Sequence, residues 1–429
     1  MSNVKYEKNS LVPRLRFPEF RDKGEWENES LNKLLVETKK RNRQLSYSPK
    51  DVLSVSGKYG CVNQIKLLGR SYAGASVKDY HVVETGDIVY TKSPLKKNPF
   101  GIIKENKGES GIVSTLYAVY RVTDKGYPAY LDHYFSRDYH LNSYLQPIVR
   151  KGAKNDMKVN NLDVLSGKIN TPGLEEQKRI ADCLSSLNEL ILVEGQKLDT
   201  LKSYESALMR QLFPRDDETV PQVRFPEFLD ANEWEPTTVG QLVNFKSGGT
   251  PSKGNPAFWN GSIPWASAKD MKKLFLDDTE DHITTAAADE GARQVPAGTV
   301  LILTRGMTLL KDVPVCILNR QMSFNQDVKA LEPKGDIDGR FLAYLLRSCK
   351  QRLLRLVDIA GHGTGRLDTD KLKFFDVMLA PPAEQQRIAD CLTSLNSLIT
   401  AQIQKIEDLA VHKKGLMQQI FPAFDEAQV

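Results

Sequence analysis

Lysine-rich loops carry the residues of this chain with the clearest capacity for binding chemistry. Two such loops lie in the first half, with the sequences TKSPLKKNPFG and RKGAKNDMK, and each adjoins a strand-like run. Lysine, asparagine and serine side chains in such loops can contact phosphates, while amide groups address the edges of bases. The candidate DNA-binding lysines are Lys92, Lys96, Lys97, Lys151, Lys154 and Lys158.

The second half offers loops with arginine and glycine at corresponding places. Thr304-Arg305-Gly306 follows a strand-like run, and GHGTGR at 361–366 is rich in glycine, which lets a backbone approach a ligand closely. The candidates here are Arg305, His362 and Arg366. A solvated surface turn is the alternative for every one of these loops. Their occurrence at equivalent places in both halves favours a binding function.

A third candidate segment, SGGTPSKGNPAFWNGSIPWASAKDMKK, spans residues 247–273. Trp259 and Trp265 could stack on bases or pack a core, and the strand-like context of Trp265 favours packing. Thr250, Lys253 and Lys269 are the polar members that we expect to face DNA.

Motifs of catalysis are missing from the sequence. It contains no phosphate-binding G-x-x-x-x-G-K-[ST] loop, no H-E-x-x-H and no G-x-S-x-G elbow. The run closest to the target-amine motif of amino-methyltransferases, Asn98-Pro99-Phe100, is one proline short. The five cysteines show no metal-ligand spacing and are expected to be free thiols, and the histidines form no metal pattern. The sequence therefore predicts no enzyme activity, cofactor or metal in this chain.

Charge and hydropathy restrict the class of protein only mildly. The 429 residues carry a formal charge of +5, which is compatible with nucleic-acid binding but does not argue for it. There is no apolar segment of signal-peptide type at the N-terminus and no stretch near the ~18 apolar residues of a membrane span. We expect a cytoplasmic protein of two or three domains.

An internal repeat is the strongest feature of the sequence. VPRLRFPEFRDKGEWE at 12–27 recurs at 220–235 with 11 of 16 residues identical, and EQKRIADCLSSLNELI at 176–191 recurs at 384–399 with 13 of 16 identical. LMRQLFP at 208–214 returns as LMQQIFP at 416–422, so all three islands share the offset 208. We call these islands the repeated frame. The inserts inside it share little beyond Gly86-Asp87-Ile88-Val89 against Gly298-Thr299-Val300-Leu301.

The frame predicts two long helices of about 40 residues, near 60 Å each, ended by Phe213-Pro214 and Phe421-Pro422. Their heptad pattern is typical of a coiled coil, and the simplest pairing is antiparallel within the chain, with a pseudo-two-fold axis. The predicted seam residues are Ile180, Leu184, Leu187, Ile191, Glu194, Leu198, Leu201, Ile388, Leu392, Leu395, Ile399, Gln402, Ile406 and Leu409. Glu194 and Gln402 would meet at mid-helix and fix the register; a solvated rim is the alternative.

The predicted fold class is therefore mixed α/β, with two globular inserts and two long antiparallel helices. In chain order, the predicted segments are 1–28 (first frame segment), 29–171 (first insert), 172–214 (central helix), 215–238 (second frame segment), 239–379 (second insert), 380–422 (distal helix) and 423–429 (tail).

The frame resembles the specificity subunits of type I restriction–modification enzymes. The most specific marks are Arg-Phe-Pro-Glu-Phe at 16–20 and 224–228, Glu-Gln-x-Arg-Ile at 176–180 and 384–388, and the SGGTPS…IPW run at 247–265. The resemblance implies that each insert is a target-recognition domain for one half of a split, asymmetric double-stranded DNA site. It also implies that the helices set the spacer, and that two modification and two restriction subunits bind. S-adenosylmethionine, ATP and Mg²⁺ would then belong to those partners.

Two other functions stay open at this point. One is a stand-alone methyltransferase with unusual motifs, which the missing cofactor and target-amine signatures oppose. The other is an assembly protein whose inserts bind other proteins. DNA binding and methyl transfer by the purified chain separate the three.

Overall fold

The computed structural model describes residues 11–151, 157–216, 218–359 and 363–422. The chain divides into two compact units: unit 1 combines Met1–Gly195 with Lys405–Val429, and unit 2 is Gln196–Gln404. Each unit therefore contains one insert together with parts of both long helices. The predicted mixed α/β fold with two long helices is confirmed.

Unit 1 is built from short strands and helices. Its strands, within the described residues, are β1 (Glu27–Ser30), β2 (Leu35–Glu37), β3 (Leu53–Ser56), β4 (Gly60–Asn63), β5 (His81–Val83), β6 (Ile88–Thr91), β7 (Ile102–Glu105), β8 (Gly111–Val113), β9 (Tyr117–Val122), β10 (Arg150–Lys151), β11 (Met157–Lys158) and β12 (Lys168–Thr171). Its helices are α1 (Gln64–Leu68), α2 (Pro128–Phe135), α3 (Asp138–Leu145), α4 (Asn161–Ser166) and the first part of α5 (Leu174–Leu212).

Unit 2 has more strands. Those in the part of the chain that the structure describes are β13 (Glu235–Thr238), β14 (Val243–Ser247), β15 (Trp259–Ala266), β16 (Phe275–Leu276), β17 (His282–Ile283), β18 (Gln294–Val295), β19 (Val300–Leu303), β20 (Arg305–Gly306), β21 (Val315–Leu318), β22 (Met322–Phe324), β23 (Val328–Pro333), β24 (Val357–Ile359), β25 (Gly365–Leu367) and β26 (Asp376–Leu379). The helices are α6 (Val239–Leu242), α7 (Thr285–Asp289), α8 (Gly339–Ser348), α9 (Lys350–Arg355), α10 (Thr369–Lys373) and α11 (Pro382–Ile420), which ends in unit 1.

The central sheets of the two inserts have the same strand order despite their unlike sequences. Unit 1 has the antiparallel order β2-β9-β6-β7, and unit 2 has β14-β23-β19-β21 with β16 added in parallel at its edge. Gly86 and Gly298, with φ of 86° and 82°, form the turns that enter β6 and β19. A positive φ favours glycine, which explains why this short piece is shared by both inserts.

The elements after the central sheet also correspond. Each insert continues with a helix pair (α2–α3 or α8–α9), a β-hairpin (β10–β11 or β24–β25), a short helix and a last strand. That strand pairs with the frame: Glu27 lies opposite Thr171 in β1–β12, and Glu235 lies opposite Leu379 in β13–β26. Both members of the second pair follow the first by 208 residues. The pseudo-repeat of the frame therefore extends through the inserts at the level of element order.

A buried ion pair holds each frame segment to the start of its long helix. Arg16 Nη2 lies 2.7 Å from Glu176 Oε2, with side chains 6% and 4% exposed, and Trp26 Nε1 donates to Glu176 Oε1. In unit 2, Arg224 Nη2 lies 2.6 Å from Glu384 Oε2, with side chains 5% and 1% exposed. Trp234 donates to that carboxylate at 3.1 Å. Buried charges are tolerated when they are paired and hydrogen-bonded in this way.

The next helix residue, a glutamine, attaches each insert through backbone atoms. Gln177 Nε2 donates to the carbonyls of Lys125 (3.0 Å) and Pro172 (2.9 Å), and its Oε1 accepts from the amide of Tyr127. Gln385 makes the equivalent contacts in unit 2, with the carbonyl of Ala380 (2.7 Å) and the amide of Asp338 (3.2 Å). Both glutamines are buried. The frame thus fixes the entry to the helix pair in each insert.

The long helices run antiparallel within each unit. In unit 1, Leu184 of α5 shares a hydrophobic core with Met417 and Ile420 of α11, and Lys405 pairs with Glu194 further along. In unit 2, the core contains Leu212 of α5 and Ile388 and Leu392 of α11. Phe421, directly after the end of α11, packs edge-on against Trp26 in unit 1. Phe213, directly after the end of α5, packs in the same way against Trp234 in unit 2.

The predicted seam residues are all buried or half-buried. The buried members are Ile180, Leu184, Glu194, Ile388, Leu392, Leu395, Ile399 and Gln402. Glu194 and Gln402 are only 8% and 6% exposed, which contradicts a solvated rim. Their role in fixing the register stays a prediction.

All five cysteines are free, as expected. Among the described residues, no group of histidine, cysteine, aspartate or glutamate is arranged to hold a metal ion. No helix in the described ranges is long and apolar enough to cross a membrane.

Candidate nucleic-acid interface

Two of the predicted loops in unit 2 meet in one small sheet. β20 pairs with β25, so that Arg305 lies directly opposite Arg366, and β25 pairs with β24. Arg305 and 365–367 therefore belong to strands, which corrects the prediction of loops at these positions. Both arginines are exposed. Like charges directly opposite each other repel, so this pair of guanidinium groups favours an anion between them. We call this three-stranded element the arginine sheet.

Backbone and packing contacts fix the arginine sheet to the central sheet. Thr304 donates through its hydroxyl to the carbonyl of Asp327 (3.0 Å), and its own carbonyl accepts from the amide of Leu367 (2.9 Å). A Cβ on Gly365 would lie 2.6 Å from Cβ of Leu309. Gly365 is therefore required for close packing against Leu309 inside the protein. The close approach of a ligand, predicted from the sequence, is not the reason for a glycine at this position. His362 and Gly361 lie outside the described residues.

Acidic neighbours partly balance the arginine sheet. Arg366 Nη2 lies 3.4 Å from Asp368 Oδ2, with both side chains substantially exposed. Asp358, which lies opposite Arg366 in β24, is held by Lys371 at 2.8 Å. Arg305 has no ion pair among the described residues. It is therefore the guanidinium most available to a phosphate or a base edge.

The predicted lysine loop of unit 1 is tied to helix α3. Asn98 Nδ2 donates to Asp138 Oδ1 at 2.9 Å, and Asn142 donates to the carbonyl of Lys97 at 3.0 Å. Lys96 and Lys97 are exposed, whereas Lys92 is half-buried and burial lowers its pKa. The exposed pair suits phosphate contact better than Lys92 does.

The second predicted loop of unit 1 is a β-hairpin at its base. Arg150 lies opposite Lys158, and Lys151 lies opposite Met157. This corrects the prediction of an open loop at 151–158, while Lys154 lies outside the described residues. Arg150 was missed from the sequence because only the strand pairing places it beside Lys158. The hairpin occupies the same place in unit 1 as β24–β25 in unit 2.

The segment after β14 divides into packing and exposed parts. Trp265 is 5% exposed, donates to the carbonyl of Gly249 at 2.9 Å and packs edge-on against Trp259 at 5.3 Å, so the prediction of packing is confirmed. Thr250 donates to Gln326, and Lys253 is exposed. Lys269 lies 2.9 Å from Asp281 and 3.3 Å from Glu280, and these contacts raise its pKa. Of the predicted lysines, Lys269 is the least free to bind a phosphate.

Residues 231–408 match the family model of the type I restriction modification DNA specificity domain. That part of the chain is therefore similar to a type I DNA specificity domain. This match includes the arginine sheet, the end of the second frame segment (231–238) and most of α11. It confirms the resemblance that the repeated frame indicated.

Two curated specificity subunits are similar to parts of this chain. The EcoR124I/EcoR124II type I restriction enzyme specificity subunit of Escherichia coli is 34% identical over 168 residues, which cover 39% of this chain and 41% of the relative. The MjaIX type I specificity subunit of Methanocaldococcus jannaschii is 28% identical over 172 residues, or 39% of each chain. The matches thus span about two fifths of the length of these relatives.

Solved structures show the same fold over nearly the whole chain. The S subunit of a type I restriction–modification system from M. genitalium has a TM-score of 0.62 at 12% identity, covering 96% of this chain and 100% of that one. A chain from a study of complex assembly and conformational transition of the type I system has a TM-score of 0.53 at 17% identity, covering 93% and 98%. The fold of the specificity domain therefore extends to unit 1, which the family model does not match.

Proposed function

We propose that this chain is the non-catalytic DNA-recognition subunit of a type I restriction–modification complex. Unit 1 and unit 2 would each read one half of a bipartite double-stranded DNA site. Since the two inserts differ in sequence, the target is asymmetric. The observation that carries the proposal is the arginine sheet, where Arg305 and Arg366 from distant segments lie side by side on an exposed surface of the specificity domain.

The geometry of the arginine sheet fits recognition of a base edge or a narrow run of phosphates. Arginine is the residue that most often reads guanine in the major groove, through two parallel hydrogen bonds. The β24–β25 hairpin of the arginine sheet, which carries Arg366, is a two-stranded ribbon, and such a ribbon is small enough to enter that groove. In unit 1, the exposed side chains of Lys96, Lys97 and Arg150 offer comparable groups for the other half of the site.

The long helices would set the spacer between the two halves. Each has 39 residues, so at 1.5 Å per residue it is about 58 Å long. This exceeds the about 34–36 Å of one DNA turn, as required for two readers on the same face of a duplex. Two modification and two restriction subunits would bind this chain and carry S-adenosylmethionine, ATP and Mg²⁺. A cytoplasmic location follows from this function.

A half-site binding experiment tests the proposal. The full chain, alone and with its methyltransferase partner, is titrated with duplexes in which either half of the methylated site is altered. Arg305→Ala should weaken binding by about 1–3 kcal/mol and relax the sequence preference in one half only, because a bidentate contact is lost. Replacing Lys96 and Lys97 by Gln should instead remove phosphate contacts beside the other half, seen as loss of ethylation interference there, and should leave the sequence preference of both halves unchanged. Loss of preference in both halves from either variant would contradict separate readers.

The same experiment separates the competing functions. Methyl transfer by the isolated chain would establish an enzyme. No DNA binding in any assembly would leave only a protein that holds other subunits together.

A further inference from the structure

A groove in unit 2 lies outside the arginine sheet, and about half of the residues that line it are charged. Its volume is about 650 Å³. Its walls are the end of α5 with the residues that follow it (205–216), the segments 271–274 and 312–315, and the α8–α9 region (347–355). All of these residues belong to unit 2. We call this cavity the basic groove.

Positive charge dominates the basic groove. Its basic lining residues are Arg210, Arg215, Lys272, Lys273, Arg347, Lys350, Arg352 and Arg355, and its acidic ones are Glu205, Asp216 and Asp312. Each acid is already paired: Glu205 with Arg347 (3.7 Å), Asp216 with Arg352 (3.3 Å) and Asp312 with Lys350 (2.6 Å).

Five basic side chains of the groove remain exposed after these pairings. Arg210, Arg215, Lys272, Lys273 and Arg355 have no ion pair within the residues that the structure describes, and all five are solvent-exposed. A cluster of like charges without counterions raises the local potential and attracts a polyanion. The groove therefore favours a ligand that carries several negative charges over one that carries a single charge.

The basic groove adjoins the arginine sheet through the central sheet. The amide of Leu303, at the end of β19, donates to the carbonyl of Pro314, which leads into β21. The segment 304–314 therefore contributes β20 to the arginine sheet at one end and Asp312–Pro314 to the groove at the other. On the opposite wall, Arg355 precedes β24 by two residues. The arginine sheet and the basic groove are therefore joined by two chain segments, 304–314 and 355–357.

The charged residues at the corresponding elements of unit 1 differ from those of the basic groove. The Asn98–Asp138 contact takes the place of Asp312–Lys350, so an acid replaces the lysine. Arg210 corresponds to Gln418 at the offset of 208, and β16 with its preceding lysines has no counterpart in the sheet of unit 1. The charges of the basic groove are therefore not repeated at Gln418 and Asp138 among the described residues of unit 1.

We propose that the basic groove binds the DNA backbone, as a phosphate track that continues the half-site contact of unit 2. This rests on the proposed function. The apolar lining residues Phe213, Met271, Leu274, Val313 and Val315 are buried, whereas the five unpaired basic side chains are exposed, so charge is what the rim of the groove presents to a partner. A protein ligand would need apolar anchors, whereas a nucleic-acid backbone is bound through its charge.

The test is a triple variant, Lys272→Gln, Lys273→Gln and Arg210→Gln, in the full chain assembled with its methyltransferase partner. The third change introduces the residue that the repeat has at position 418. The slope of log affinity against log salt should become less negative by about 0.9 for each phosphate contact removed. Affinity should fall equally for duplexes altered in either half-site, because phosphates carry no sequence information. Ethylation interference should vanish only at phosphates next to the half-site of unit 2.

Arg320→Gln is the matched control. Arg320 is an exposed arginine just after β21, at the end of that strand away from the groove, and its replacement should leave the salt slope unchanged. The variants should melt at the same temperature as the parent, since surface substitutions change stability little.

The outcomes separate this inference from the function on which it rests. An unchanged salt slope and interference pattern, with Arg305→Ala still weakening one half-site, would overturn only the phosphate track. If the triple variant bound DNA normally but lost an acidic protein partner, the ligand would be a polypeptide. Absence of DNA binding by the parent complex would reject the proposed function itself.

Discussion

At the residue scale, the buried arginine–glutamate pairs fix each frame segment to the start of its long helix. Arg16 with Glu176 and Arg224 with Glu384 share the spacing of 160 residues, and both carboxylates also accept from a buried tryptophan. A pair so far apart in sequence gives no local pattern, so sequence reasoning missed it. The signal was present nonetheless, because arginine, tryptophan and glutamate recur together in both islands at constant spacing.

Replacing Arg224 with Met should destabilise unit 2 by about 3–5 kcal/mol, because Glu384 is left charged and buried without its partner. Glu227→Gln is the control. It removes only the half-exposed ion pair with Arg387, which lies on α11 as Glu384 does, and should lower the free energy of unfolding by at most about 1 kcal/mol. Urea unfolding followed by tryptophan fluorescence measures both. Equal losses would mean that the buried pair does not stabilise the frame.

The DNA-binding candidates show what sequence can and cannot locate at this scale. Exposed lysines in turns, such as Lys96 and Lys253, were predictable from composition. The juxtaposition of Arg305 with Arg366 was not, because it depends on a two-residue strand pairing across 60 residues. Lys269 was selected for its charge, which Asp281 and Glu280 offset in the folded protein.

At the element scale, the long helices were the most predictable part of the fold. Heptad spacing, the turn signals before each helix and the Phe-Pro ends placed them within a few residues of Leu174–Leu212 and Pro382–Ile420. The short strands were only partly predictable, because strands of two to four residues are decided by partners elsewhere in the chain.

Leu392→Ala should destabilise unit 2 by about 2–5 kcal/mol, because this fully buried seam residue leaves a cavity when truncated. The matched control is Leu398→Ala on the same helix, whose side chain is 59% exposed and whose loss should change stability by less than about 0.5 kcal/mol. Chemical denaturation of the full chain gives both values. A similar effect from the two substitutions would contradict the assignment of the seam.

At the scale of the whole molecule, the two units differ in their response to acid. Unit 1 contains three buried histidines, and burial lowers the pKa of His81 and His133 to about 4 and that of His140 to about 3. These groups are neutral in the folded state and would take up protons near pH 6.5 when unfolded. Their contribution to stability is therefore lost as pH falls from about 6.5 towards 4. In unit 2, the described histidine, His282, is only partly buried and contacts Asp278.

Acidification from pH 7 to pH 5 should thus destabilise unit 1 before unit 2. Hydrogen exchange read by mass spectrometry should rise in peptides covering 81–91 and 128–145 and stay nearly constant in 339–355. His133 lies near the charged residues Asp132, Lys104, Lys107 and Lys413. His133→Gln removes the titration of this buried histidine, so it should reduce the dependence of the stability of unit 1 on pH. Parallel changes in both units would show that other titrations dominate.

The common element order of the two inserts could not be read from their sequences. Their sheets follow one order although the shared sequence is limited to the Gly86 and Gly298 turns and their strands. Hydrophobic alternation fixes which face of a strand is buried, but many different side chains satisfy it. Sequence comparison within the chain therefore detects the repeated frame but not the structural similarity of the two inserts.

The glutamines at the start of each long helix have a consequence for how such proteins evolve. Gln177 and Gln385 hold the inserts by peptide carbonyls and amides, and β1 and β13 do so by strand pairing. Peptide groups are the same in every sequence, so these contacts do not depend on the side chains of the insert; the side-chain contact that both inserts add is an aromatic residue, Tyr130 or Phe341, packed on the frame. Genetic exchange with breakpoints in the two islands can then deliver a foreign insert that docks on the same backbone contacts, provided that its helix pair supplies an aromatic side chain for the frame. New recognition can arise in one recombination event while the shared scaffold stays under selection to remain unchanged.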